Sequence, residues 1–225
     1  DLLGLDARRL QVVDAPPIFP AENTRVLVAS RVSTAWRDRR AHAPATATLM
    51  RRCIEEVPGN VVAYFPSFAM LRDISSRWED MERELLVQEP SMSDERRAEL
   101  LDRLATSEQP IVLAAVLGGI FAEGIHLHHG ALSAVLVAGL ERDLLRGYYE
   151  ERYGEGFRYA SLVPGLTRVV QAAGRLVRRP DDRGVVVLVG RRFRWRDISA
   201  LLPSHWELEV AEDPPVQIAE FWRSQ

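Results

Sequence analysis

A run of thirty residues, from Pro164 to Phe193, constrains the fold of this chain more than any other segment. Its first half has helical periodicity, with an apolar face and a polar face about 150° apart at ~100° per residue. Gly184 interrupts this pattern, and Val185 to Val189 is a continuous apolar stretch typical of a buried strand. The run therefore predicts a helix packed beside a hydrophobic sheet. The apolar face comprises Leu166, Val169, Val170, Ala173, Leu176 and Val177, and the polar face Gln171, Gly174, Arg175 and Arg178.

The polar face has the chemistry of an anion site. Arg175 and Arg178 carry guanidinium groups, which stay protonated and whose forked donors match the oxygens of a phosphate. An amphipathic surface helix with solvated arginines is the alternative, because charged runs usually face water.

Strand patterns and helix patterns alternate along the rest of the chain. This order predicts one domain over residues 1–225, an α/β fold with a mostly parallel sheet and helices on both of its faces. Strands are predicted at Thr24–Ser30, Val61–Phe65, Leu85–Gln88, Ile111–Val116, Ala134–Ala138, Val185–Val189 and Leu208–Val210. Helices are predicted at Thr46–Val57, from the N-cap Ser67 to about Arg83, at Asp94–Ala105 and at Val216–Trp222, with an exposed loop at Arg31–Pro44.

The composition is that of a soluble globular protein, with 47% hydrophobic and 27% charged residues and a net charge of −3. No apolar run is long enough to cross a bilayer. The single cysteine, Cys53, excludes an internal disulfide and a four-cysteine metal or iron–sulfur site, and is predicted to be a small core residue.

Lysine is absent, so all 29 basic residues are arginine. A P-loop needs the lysine of G-x-x-x-x-G-K-[ST], and this chain therefore contains none. A D-E-x-H or D-E-x-D metal-binding box is also absent. Any ATPase site built with this chain must take half of its groups from elsewhere.

The Q-x-x-G-R-x-x-R pattern resembles the sixth motif of superfamily 2 helicases. With Ala172 and Ala173 before it and the D-x-G of Asp182 and Gly184 after it, the pattern looks like the XPD/DinG family. The resemblance implies a RecA-like fold. It also implies that Arg175 and Arg178 reach the γ-phosphate of ATP, and that Gln171 and Gly174 help to form the nucleotide site.

Two further segments resemble motifs of the same family. Pro58–Ile74 resembles the fourth motif, which implies that Ser67 and Phe68 contact DNA. The alternative is that Ser67 is a simple N-cap and that Phe65 and Phe68 lie in the core. Ala114–Leu127 resembles the fifth motif, which lies between nucleotide and DNA in the family. That likeness implies DNA contact at Gly119 and nucleotide contact at Glu123 and Gly124. Ala122 and His126 depart from the family pattern.

Arg192 and Phe193 resemble the family's D-x-R-F ending, with Gly190 in place of the acidic residue. Arg192 is therefore a candidate DNA contact, and a solvated arginine cluster is the alternative. His126, His128 and His129 are interpreted as polar loop residues, since the ligands needed to complete a metal site are missing nearby.

As a whole, the resemblance implies the second RecA-like motor domain of an ATP-dependent 5′-3′ DNA helicase. Implied partners are single-stranded DNA and an N-terminal motor domain of the same, longer chain. That domain would hold most of the ATP and Mg²⁺ contacts and any iron–sulfur cluster. No membrane association is expected, and the location implied is the bacterial cytoplasm at the nucleoid. The alternative is a degenerate helicase-like domain that binds nucleic acid or protein, and a third possibility is a nuclease-linked helicase.

Overall fold

The computed structural model describes residues 18–121, 132–140, 151, 152, 154, 158 and 162–224. Its centre is a seven-stranded sheet in the order β3-β4-β2-β5-β6-β1-β7, and every neighbouring pair is parallel. The predicted α/β class is thus confirmed. The strands are β1 (Thr24–Ala29), β2 (Val61–Phe65), β3 (Glu84–Val87), β4 (Ile111–Val116), β5 (Ala134–Ala138), β6 (Gly184–Val189) and β7 (Leu208–Val210).

The four central strands, β4, β2, β5 and β6, are buried along their whole length. Their sequences are continuous apolar runs, as expected for parallel strands that are covered on both faces. The outermost strands β3 and β7 keep exposed or half-buried residues. Since all strands are parallel, their carboxyl ends share one edge of the sheet, here named the carboxyl edge, and their amino ends share the amino edge.

Helices cover both faces of the sheet and enclose two apolar cores. One core packs α3, α4 and α5 against alternate strand residues such as Tyr64 and Val137. The other packs α1, α2 and α6 against their neighbours, such as Phe65 and Leu136, because successive strand residues point to opposite faces. The helices are α1 (Arg39–Glu55), α2 (Phe68–Ser75), α3 (Asp94–Thr106), α4 (Val163–Ala173), α5 (Arg196–Ser199) and α6 (Pro214–Arg223).

Cys53 is fully buried in α1, which confirms the prediction of a core residue. Burial raises the pKa of its thiol to about 12, so the thiol stays protonated at neutral pH.

Two predicted boundaries are wrong. The helix after Ser67 ends at Ser75 rather than near Arg83, because the chain turns inward to bury Trp78. The Trp78 indole N–H donates to the Ala47 carbonyl at 3.0 Å.

The predicted loop Arg31–Pro44 is also shorter than expected, since α1 begins at Arg39 and includes Pro44. Ala43 and Ala47 of α1 are buried against the sheet. This packing offsets the backbone hydrogen bond that a proline inside a helix removes.

Asn60 organises the amino edge. Its side-chain amide donates to the Leu104 carbonyl at 2.9 Å and accepts from the Ile111 amide at 2.8 Å. Its own carbonyl accepts from the Ser133 amide at 2.9 Å. One residue therefore connects β2 with the end of α3 and with the segments that begin β4 and β5, which gives the Pro58–Asn60 part of the fourth-motif segment a structural role.

Candidate functional site

The predicted phosphate-binding arginines lie just beyond the end of α4. The helix ends at Ala173, and the amides of Arg175 and Leu176 bond to carbonyls only three residues back, at 3.3 and 3.0 Å. The last turn is therefore tightened towards 3₁₀ geometry. The prediction that one regular helix face extends to Arg178 is wrong, because Gly174 caps the helix and the chain leaves it.

Asp182 fixes the path of the chain after that cap. Its Oδ2 atom accepts hydrogen bonds from the Arg178 amide at 2.8 Å and from the Arg179 amide at 2.9 Å. A short carboxylate that bonds to nearby backbone amides competes with helix continuation. Asp182, part of the D-x-G pattern, thereby sets the backbone position from which the Arg178 side chain starts.

The four polar-face residues differ in exposure. Gln171 and Gly174 are exposed, while Arg175 and Arg178 are half-buried. Leu176 between them packs on Gly184, where an added Cβ would lie 2.7 Å from the Leu176 Cβ. Since Gly184 begins β6, this group is adjacent to the amino edge of the sheet.

An apolar cleft of about 1100 Å³ opens beside this group. Gly174 and Val177 line one side of it, and Thr24 and Arg25 at the start of β1 line another. Arg25 forms an ion pair with Glu209 of β7, with 2.8 Å between Nε and Oε2. The cleft therefore separates the end of α4 from the β1–β7 edge of the sheet.

Tyr64 connects this region to the loop after β4. It is buried on the α4 side of the sheet, and its hydroxyl donates to the Phe121 carbonyl at 2.8 Å. Burial raises the pKa of Tyr64, and the positive charge of Arg175 acts in the opposite direction.

Ser67 and Phe68 lie at the carboxyl edge, where β2 leads into α2. The Ser67 hydroxyl accepts from the Met70 amide at 3.3 Å, which confirms the predicted N-cap. Phe68 is half-buried and packs against the apolar core on the α1 side. The first turn of α2 presents backbone N–H groups beside this cap, as helix N-termini do.

Gly119 follows β4 at the same edge and lies against Gln88. An added Cβ at Gly119 would be 2.7 Å from the Gln88 Nε2 atom. Gln88 is buried, and its Oε1 atom accepts from the Val116 amide at 2.8 Å. Gln88 therefore supports the loop after β4, and the sequence offered only one signal for this role, a polar residue at the end of the predicted strand Leu85–Gln88.

Gly190 follows β6 with a φ of 135°, a conformation that favours glycine. An added Cβ would lie 2.6 Å from the Thr34 hydroxyl oxygen, and one added at Gly139 after β5 would lie 2.7 Å from it. Thr34 is buried between the two glycines. The glycine that departs from the family's acidic residue is thus required by the close packing of the loops after β1, β5 and β6.

The loops after β1 and β6 are also joined by polar contacts. Asp38 forms an ion pair with Arg191 and accepts from the Ser33 hydroxyl at 2.8 Å. The Ser33 hydrogen bond, followed by the Arg191 charge, lowers the pKa of Asp38. Arg192, the predicted DNA contact, is half-buried beside this ion pair.

The structure thus separates the candidate residues into two groups. Ser67, Phe68, Gly119 and Arg192 lie on segments that follow strands at the carboxyl edge, and the arginines after α4 lie near the amino edge. The remaining candidates fall outside the described residues: Glu123, Gly124, Ala122, His126, His128 and His129.

Within the described part of the chain, no three His, Cys, Asp or Glu side chains are grouped as metal ligands would be. The helices described there include none that is both long enough and apolar enough to span a membrane.

Comparison with known proteins matches this chain to a protein family. A family model described as the helicase C-terminal domain matches residues 50–209. The XPD helicase subunit of transcription and DNA repair factor IIH from Schizosaccharomyces pombe is 26% identical over 176 residues, which cover 69% of this chain and 22% of that protein. The ATP-dependent DNA helicase YoaA of Escherichia coli is 27% identical over 163 residues, which cover 68% and 24%.

Solved structures show the same fold. An apo XPD structure superposes with a TM-score of 0.67 at 19% identity, covering 84% of this chain and 40% of the other. The C-terminal domain of the DEAD-box protein Dbp5 superposes with a TM-score of 0.54 at 11% identity, covering 89% of this chain and 98% of that domain. The RecA-like fold implied by the resemblance is confirmed. The chain spans only about a fifth to a third of the length of the curated relatives that it matches.

Proposed function

We propose, from the premise that this chain belongs to the helicase C-terminal domain family of XPD/DinG-like helicases, that it is the second motor domain of a longer ATP-dependent DNA helicase. The partner domain would be an N-terminal motor domain that carries the P-loop. The family match includes the segment with Arg175 and Arg178, and this pair after α4 is the observation that carries the proposal.

The residues present fit one side of an ATP site. Arg175 and Arg178 are half-buried, and Asp182 sets the backbone at Arg178. Such partly enclosed guanidinium groups suit the charge that develops on a transferred phosphoryl group. Without lysine, this chain has no P-loop of its own, so the other domain would hold most contacts to ATP and Mg²⁺. Gln171 and Gly174 would contribute to the same nucleotide site, as the family resemblance implies.

Single-stranded DNA would run along the carboxyl edge. The N-terminus of α2 at Ser67 offers backbone donors to a phosphate, and Gly119 lies on the neighbouring segment after β4, where Gln88 supports it. Arg192 adds a positive charge on the neighbouring loop. We include the 5′-3′ direction and a location in the bacterial cytoplasm at the nucleoid in this proposal, on the strength of the family resemblance.

The second candidate is a helicase-like binding module without motor activity. It is favoured by the packing of Gly190 against Thr34, which leaves no space for the family's acidic side chain. DNA-stimulated ATP hydrolysis by the longer protein separates the two functions. The motor proposal expects turnover that rises on addition of single-stranded DNA, with none from the 225-residue chain alone. A folded longer protein without turnover supports the binding module, and turnover by this chain alone contradicts the two-domain site.

A further inference from the structure

Two exposed tryptophans stand on neighbouring loops at the carboxyl edge. Trp36 follows β1 and is 59% exposed, and Trp195 follows β6 and is 49% exposed. β1 and β6 are adjacent in the sheet, and the Asp38–Arg191 ion pair joins the two loops. Two aromatic rings are thus available to a ligand at one edge of the sheet.

The charge around these tryptophans identifies the kind of partner. Segments 31–40 and 191–196 contain eight arginines and one carboxylate, that of Asp38, in a chain whose net charge is −3. A basic surface with interleaved aromatic rings is the arrangement that binds single-stranded nucleic acid. The arginines are Arg31, Arg37, Arg39, Arg40, Arg191, Arg192, Arg194 and Arg196.

Local contacts hold the ring of Trp36 and the backbone of Trp195. The guanidinium carbon of Arg39 lies 3.7 Å from the ring centroid of Trp36, so one face of that ring carries a stacked cation. The Trp195 amide donates to the Arg192 carbonyl, and its carbonyl accepts from the amides of Ile198 and Ser199 at 3.0 and 2.9 Å. A ring that is already oriented, as the Trp36 ring is by Arg39, loses little conformational entropy when a base stacks on it.

We propose that Trp36 and Trp195 stack on bases of single-stranded DNA, while the surrounding arginines contact its phosphates. This inference rests on the proposed function, since it adds base contacts to the DNA path along the carboxyl edge. The two contacts have different signatures. Stacking requires bases, whereas phosphate contact requires only the charged backbone and determines the salt dependence of binding.

The test measures binding of the full chain to an oligo-dT of about ten nucleotides, a length within the range of a single-domain site. An abasic oligomer of equal length, which has the same phosphates and no bases, is the second probe. We expect oligo-dT to bind more tightly than the abasic oligomer and to quench tryptophan fluorescence. Trp36→Ala and Trp195→Ala should each weaken oligo-dT binding by about fivefold or more, from the usual contribution of base–aromatic stacking.

Controls separate stacking from folding and charge. Trp36→Phe and Trp195→Phe should recover part of the affinity, and no variant should change the slope of affinity against salt, since no phosphate contact is removed. Val216→Ala removes a side chain of similar exposure, 47%, from α6 and should have no effect.

Four results overturn the inference. If the abasic oligomer binds as tightly as oligo-dT, or the alanine variants bind like wild type, base stacking is wrong while the DNA path stands. If the variants lose a protein partner but keep oligo-dT, the surface docks protein. If wild type binds neither oligomer, the DNA path of the proposed function fails as well.

Discussion

The Tyr64 hydroxyl donates a hydrogen bond to the backbone carbonyl of Phe121 across 2.8 Å, inside the core on the α4 side of the sheet. This bond ties β2 to the segment that follows β4. Gly119 lies within that segment, so the bond holds one of the candidate DNA contacts in place. Two side chains therefore anchor the segment after β4: Tyr64 bonds to the Phe121 carbonyl, and Gln88 bonds to the Val116 amide.

Removing this hydroxyl should destabilise the fold. Tyr64→Phe leaves the buried Phe121 carbonyl without its donor, and we expect the free energy of unfolding to fall by about 1–3 kcal/mol. Urea denaturation measures the change. Thr167→Ala is the matched control, because it removes an exposed hydroxyl that bonds to the Val163 carbonyl, and its effect should be smaller. Equal effects of both substitutions would contradict the anchoring role of Tyr64.

Gly190 should not tolerate a side chain. Gly190→Ala combines a φ of 135° with an approach of 2.6 Å to the Thr34 oxygen, and we expect a loss of roughly 1–3 kcal/mol in unfolding free energy from the backbone alone, plus the clash. Gly154→Ala is the control, because Gly154 also has a positive φ, of 68°, but none of the described residues lies within 4 Å of its added Cβ.

A Thr34→Gly replacement in the Gly190→Ala background should recover the part of the loss that comes from the clash. Thermal unfolding of wild type, Gly190→Ala, Gly154→Ala and the double variant with Gly190→Ala and Thr34→Gly compares their stabilities. If Gly190→Ala is no more destabilising than Gly154→Ala, the close packing at Thr34 has no energetic consequence.

Asn60 should contribute more to the stability of the fold than Asn23 does. Asn60→Ala removes the bonds to Leu104 and Ile111, and we expect a loss of roughly 2 kcal/mol in unfolding free energy. Asn23→Ala removes one exposed bond, to the Pro180 carbonyl, and should change stability by a few tenths of a kcal/mol. Chemical denaturation of both variants tests this, and a larger effect at Asn23 would show that Asn60 does not organise the amino edge.

The Arg25–Glu209 ion pair predicts a pH dependence. The hydrogen bond from Arg25, the charge of Arg25 and a bond from Gln217 lower the pKa of Glu209 below its ordinary 4.5. A carboxylate with a lowered folded-state pKa stabilises the fold above its unfolded pKa, and this contribution disappears as the pH falls through the folded value. Both side chains are partly exposed, at 26% and 39%, so the effect is modest.

Wild type should therefore lose more unfolding free energy than Glu209→Gln when the pH is lowered from 5.5 to below 4.5, the ordinary pKa of this carboxyl group. Denaturation curves at each pH measure the two slopes. Parallel slopes would mean that the ion pair does not stabilise the junction of β1 and β7.

The strands could be predicted closely from the sequence, because buried parallel strands are continuous apolar runs. Ile111–Val116 and Ala134–Ala138 form strands with the predicted bounds. Helix ends were predicted less well. The end of α2 depends on burial of Trp78. The α4 helix ends at the Gly174 cap, and two backbone bonds to Asp182 fix the chain beyond it. None of these features follows from periodicity.

In the candidate site, too, some features could be predicted from the sequence and others could not. The apolar face of α4 is buried at Leu166, Val169 and Ala173, as its spacing predicts. The role of Thr34 could not be foreseen, because it depends on two glycines that are distant in sequence and meet only in the folded sheet. The roles of Arg175 and Arg178 remain predictions, since their phosphate would be bound to another domain.

The most direct test of the central claim is the turnover number for ATP of the longer protein with Arg178→Ala. Removal of an arginine that stabilises the transferred phosphoryl group should reduce turnover on the order of 10³-fold, and Arg178→Lys should restore little of it. Arg179→Ala, at the exposed neighbouring position, is the matched control and should retain turnover near that of wild type. If Arg178→Ala stays within about threefold of wild type, by the same scale, Arg178 is not an arginine of the ATP site, and the proposed Arg175–Arg178 pair is wrong.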